Sequence, residues 1–159
     1  MKMITHILFS IFVLLLLQVK IGVHYTIQII FLSFINFIID GFGHSRAQGL
    51  HRTPLTHSLL SGVIIGAFGG LGEFFLFRFM GGPVPLWFSV TGGMLVGLSH
   101  LFLDMMTFNG IYIVRGRFAI AHFKNGLIDI PFAAASIAFI SYILWPYLAT
   151  FMGMVQFFL

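Results

Sequence analysis

His100 and Asp104 stand four residues apart within an apolar stretch, a separation that puts both side chains on one face of a helix. An imidazole and a carboxylate so placed form a ligand pair for a divalent cation; their other common use is a buried hydrogen-bonded pair joining two helices. Asp40 and His44 repeat the spacing, although Gly41 and Gly43 between them are able to end a helix. His6 and His57 each open an apolar stretch. Taken singly, a histidine in such a place is an interfacial residue solvated by headgroups, so the argument for a site rests on convergence. The chain has seven histidines, four acidic residues and no cysteine, which limits a metal site to imidazole, carboxylate and backbone donors. That donor set suits zinc and is compatible with manganese or iron. A metal held this way lowers the pKa of its water and polarises a phosphoryl or carbonyl oxygen, which is hydrolytic chemistry.

The elements that must bring these residues together are helices in a membrane. Of 159 residues 59% are hydrophobic and 8% charged, a composition that would leave a chain of this size insoluble in water. The expected fold is all-α, one polytopic membrane bundle of four to five transmembrane helices, at about 4–19, 21–39, 55–79, 85–107 and 128–158. Lys20 separates the first two with almost no loop, and Gly81, Gly82, Pro83 and Pro85 break the chain between the third and fourth. The amino terminus has the look of a signal sequence, but no small-residue cleavage site precedes Lys20, so a retained helix is expected. Two polar connectors, Gly41 to Pro54 and Phe108 to Leu127, remain.

If all five segments cross, Lys2, Arg46, Arg52, Arg115, Arg117 and Lys124 fall on one side and Lys20 and Arg78 on the other. Positive residues mark the cytoplasmic side, so an integral cell-membrane protein with its amino terminus and both polar loops inside is expected. The same alternation carries His6, Asp40, His44, His57, His100 and Asp104 to that side.

Arg52 suits the neutralisation of a phosphate beside a metal and equally an inside-positive anchor; His44 suits a ligand or a general base. Arg115, Arg117 and Lys124 suit anionic headgroups, so membrane lipid, including a phospholipid or lipid-phosphate substrate, is the expected partner. The small, scattered positive charge gives no nucleic-acid footprint. Glu73, with Arg78 beyond it, and His24 read as interfacial residues of the far side, and Asp129 as a helix-start cap. His122 lies in the second connector without a spacing that recruits it. Gly62, Gly66, Gly69, Gly70, Gly92, Gly93 and Gly97 read as close-packing points. No Gly-x-Ser-x-Gly, phosphate-binding Gly-Lys-Ser/Thr or His-Glu-x-x-His motif occurs. Two other classes stay open. One is a non-catalytic protein whose same residues form a structural metal site or hydrogen-bonded cluster; the other, metal transport, needs polar residues through the whole membrane, which the far halves of the helices lack.

Four stretches carry a resemblance: Thr5-His6; Ile39-Asp40; His51-Arg52-Thr53-Pro54-Leu55-Thr56-His57-Ser58; and Ser99-His100 through Asp104-Met105-Met106-Thr107. Over residues 1 to about 125 the chain resembles the YdjM-like family of predicted membrane-bound metal-dependent hydrolases. That family is similar to the all-helical zinc-dependent phospholipase C and single-strand nuclease superfamily. The resemblance implies that Asp40, His57, His100 and Asp104 hold one ion, with His6 and Asp104 contributing to a second. Where bacterial relatives carry Pro-Asp-x-Asp-His, this chain has Ile39-Asp40-Gly41-Phe42-Gly43-His44, so one carboxylate of the pattern is absent.

Overall fold

The computed structural model describes residues 2–21, 25–43, 53–113, 116–121, 123 and 127–158. Long runs of Leu, Ile, Phe, Val and Met with few breakers make helices wherever the backbone must satisfy its own hydrogen bonds away from water. They are α1 (Met3–Ile21), α2 (Thr26–Ser33), α3 (Ile35–Gly43), α4 (Leu59–Phe79), α5 (Leu86–Met105) and α6 (Asp129–Phe158). Those over Met3–Lys20, Leu59–Phe79, Leu86–Met105 and Asp129–Thr150 are long and apolar enough to cross a membrane; Thr26–Phe42 is shorter. The molecule is an all-α bundle.

Two features depart from a plain set of rods. The second apolar segment is not one helix: Phe34 interrupts it, and the Phe37 amide bonds the Phe34 carbonyl at 2.9 Å, one residue short of the α pattern. The second polar connector holds a small antiparallel ribbon, β1 (Ile111–Ile113) with β2 (Gly116–Phe118), Ile111 facing Phe118. The Tyr112 amide of β1 donates to the His57 carbonyl at 2.8 Å, so the ribbon is fastened to the start of α4.

The tightest packing is between α4 and α5. A Cβ on Gly66 would strike the Gly93 carbonyl, one on Gly70 the Ser89 carbonyl and one on Gly97 the Gly62 carbonyl. Small residues one turn apart on both helices let the backbones touch, the usual means of association where lipid offers no hydrophobic drive. The apolar core beside them joins Leu14 and Leu15 of α1, Ile29, Leu32, Ile35 and Ile39 of α2 and α3, and Phe88 and Val96 of α5. Glu73 belongs to this packed region and not to the interface expected for it: it is 7% exposed and lies beside Ser89 of α5. α6 packs chiefly on α1, with its first residue, Asp129, accepting the Lys2 amide at 3.0 Å. Asp129 thus ties two helix starts together.

Candidate metal centre

Five residues from four stretches of chain meet at one end of the bundle. His6 comes from the first turns of α1, Asp40 from the end of α3, His57 from the residue before the α4 cap, and His100 and Asp104 from the last turns of α5. Ser58 caps α4, its side chain accepting the Ser61 amide at 3.3 Å, and the turn Thr53–Thr56 before it delivers His57 inward. Their convergence makes α1 and α5 antiparallel, and likewise α4 and α5, with α6 also starting at this end.

Asp104 is the hub. Its Oδ1 lies 3.5 Å from His6 Nε2, while its Oδ2 lies 3.4 Å from His57 Nε2 and 3.5 Å from His100 Nε2. Asp40 Oδ1 stands opposite, 3.6 Å from His57 Nε2 and 3.4 Å from His100 Nε2. Two overlapping groups result, His6 with His100 and Asp104, and Asp40 with His57 and His100; within each, the donor atoms all lie within 4.8 Å of one another. The His6 and His100 rings stack at 4.0 Å. His6, His57, His100 and Asp104 are 1% exposed or less, and Asp40, at 18%, is the most exposed of the five. A buried set of imidazoles and carboxylates with this spacing could hold a metal ion.

Outer partners fix how the imidazoles face. Asn36, one turn before Asp40, donates its Nδ2 to the Ser33 carbonyl at 2.7 Å and to Ser10 Oγ at 3.0 Å. A backbone carbonyl only accepts, so the amide oxygen is the atom 2.9 Å from His100 Nδ1, and that nitrogen must carry the proton. The ring then presents Nε2 to the two carboxylates. Ser10 and Ser99 complete the chain at 3.0 Å, and Thr56 Oγ1 meets His57 Nδ1 at 2.8 Å. Such groups orient ligands and tune their basicity.

The family profile described as a protein of unknown function, DUF1286, matches residues 1–103. The chain belongs to the DUF1286 family. Four of the five converging residues lie within the stretch matched to DUF1286, and Asp104 follows it by one position. Neither the curated proteins nor the solved structures contain a match to the chain.

Of the residues singled out by type and spacing, His6, Asp40, His57, His100 and Asp104 are brought together. His44 and Arg52, together with His24 and His122, lie outside the described residues. Asn36 and Ser10 were not singled out, and Thr56 and Ser99 entered only as members of the stretches that carry the resemblance. The signal for Asn36 was there in outline: an amide inside an apolar helix, four positions before a carboxylate.

Proposed function

We propose that this end of the bundle is a metal-dependent hydrolytic centre that cleaves a phosphoester of a lipid or lipid-linked substrate at the cytoplasmic membrane face. The observation that carries the metal is the set of five histidine-carboxylate separations, all 3.4 to 3.6 Å. Charge-assisted hydrogen bonds would draw such pairs to about 2.7–2.9 Å. Two ligands each about 2.0–2.1 Å from one tetrahedral ion sit roughly 3.3–3.4 Å apart. The separations match ligands sharing an ion better than a hydrogen-bonded cluster. Zinc fits the donor set, with manganese or iron as alternatives.

Asp40, His57, His100 and Asp104 would hold the first ion, and His6 with the second oxygen of Asp104 would contribute to another. A bound ion would supply Lewis acidity and an acidified water. His44 would serve as base or further ligand and Arg52 would neutralise substrate phosphate. The resemblance to the YdjM-like hydrolases supports this assignment, and the excess of basic residues on the same side supports the cytoplasmic placement. The near-complete burial of four of the five residues favours a second reading, a closed structural metal site without catalysis.

Elemental analysis of detergent-purified protein separates these. Wild type should carry about one to two equivalents of zinc or manganese, and His100→Ala and Asp104→Ala should each lose the metal and phosphoesterase activity together. Metal retained with no activity on any phospholipid or lipid phosphate would leave the structural reading. Absence of stoichiometric metal in both purified and reconstituted wild type would end both.

A further inference from the structure

Directly beside the centre, the outer face of α4 is not flat. A groove of about 600 Å³ is lined by Pro54, Ser58, Leu59, Leu60, Val63, Tyr112 and Ile113. Its walls are the start of α4 and β1, the two elements joined by the bond from the Tyr112 amide to the His57 carbonyl. The residue that lines it at the inner end, Ser58, follows His57 directly.

Three properties occur together in the groove. It is concave and of the size of a small-molecule site. It begins at Leu59, where the apolar α4 span begins, and Val63 carries it one turn further along that span. One of its lining residues, Tyr112, also bears a cation: the exposed Arg117 of β2 donates Nε to the Tyr112 hydroxyl at 3.1 Å, with its guanidinium 5.5 Å from the ring centre. That bond uses one N–H of the fork and leaves the others for a phosphate. All four acidic residues of the chain, Asp40, Glu73, Asp104 and Asp129, lie within the described residues, and none forms an ion pair with Arg117. A guanidinium held against an aromatic ring without a carboxylate partner among the described residues is free to take an anion from outside.

We infer that this groove seats one aliphatic chain of a phosphate-bearing membrane lipid, with Arg117 meeting the phosphate and the chain lying along Leu60 and Val63. As the substrate subsite of the proposed hydrolase it rests on that reading; as a lipid site it can be tested without it.

The full chain, reconstituted in phosphatidylcholine vesicles, is irradiated with phosphatidic acid bearing a diazirine in its acyl chain, and the labelled residues are mapped by mass spectrometry. Labelling should concentrate at residues 59–63 and 112–113. Val63→Trp, which fills the groove, and Arg117→Gln, which removes the cation, should each lower it by about tenfold. Unlabelled phosphatidic acid should compete, while inorganic phosphate should not. Labelling spread evenly to Phe68 and Phe75 on the same helix and indifferent to Val63→Trp would mean ordinary bilayer contact and overturn the inference. Absence of label from the groove, as when another segment or protein fills it, would do the same. Competition by inorganic phosphate alone would reduce the site to an anion site and overturn the chain. Metal content, measured in parallel, should not change in Val63→Trp. Groove labelling in a protein that holds no metal would sink the hydrolase and leave the lipid site standing.

Discussion

At His100 the decisive neighbour is an uncharged one. Asn36 holds the proton of His100 on Nδ1 only because its own amide is pinned by Ser33 and Ser10, leaving no freedom to flip. Leucine at position 36 would keep the shape and leave a buried N–H without an acceptor, freeing the ring to take the other tautomer. Asn36→Leu should weaken zinc binding by about 10- to 100-fold, measured by chelator competition, the usual cost of losing an outer-shell partner. Nitrogen NMR of histidine-labelled protein should show Nδ1 of His100 protonated in wild type and a mixed state in the variant. An unchanged affinity with an unchanged ring spectrum would remove Asn36 from the centre. Asp104 offers a complementary test, since its Oδ1 faces His6 while its Oδ2 faces His57 and His100. Asp104→Asn should abolish metal at both positions, while His6→Ala should spare the first ion.

The helices explain why these residues can be so close, and how far that could be read beforehand. Gly66 and Gly93 allow α4 and α5 to touch, and this contact sets the distance from His57, just before α4, to His100 and Asp104 near the end of α5. Gly93→Val should push the helices apart at a cost of about 1–3 kcal/mol. A lower thermal midpoint in detergent and weaker metal binding should appear together; Gly72→Ala, whose added carbon meets nothing, should change neither. Hydropathy made the spans legible, and helical spacing made His100 and Asp104 legible, because both depend on local periodicity alone. The break at Phe34 was not legible, since Ser33 and Asn36 flank it but no glycine or proline marks it. Yet the break matters: with the Phe37 amide bonded to Phe34, the Ser33 carbonyl is left for Asn36. The ribbon of β1 and β2 escaped for a related reason, as its strands are three residues each and it is fastened to the distant His57 carbonyl.

As a whole the bundle is polar at one end and apolar along its length. If that end faces the cytoplasm, single cysteines placed at Gly116 and at Met80 should react with an impermeant maleimide from opposite sides, Met80→Cys in intact cells and Gly116→Cys only after lysis. The chain has no cysteine of its own, so the pattern can be read directly, and the reverse pattern would place the centre outside. Electroneutrality adds a constraint that geometry does not. Asp40 and Asp104 are the two carboxylates available to three imidazoles, which bind metal as neutral ligands. One divalent ion therefore leaves this buried region uncharged, whereas a second leaves two positive charges in surroundings that solvate charge poorly. An incoming anion would offset them, which would make the second ion and the phosphate mutually dependent. Zinc titrated in phosphate-free buffer should stop at about one equivalent and proceed to about two when inorganic phosphate is added. Two equivalents bound in the absence of any anion would show that another negative group serves the centre.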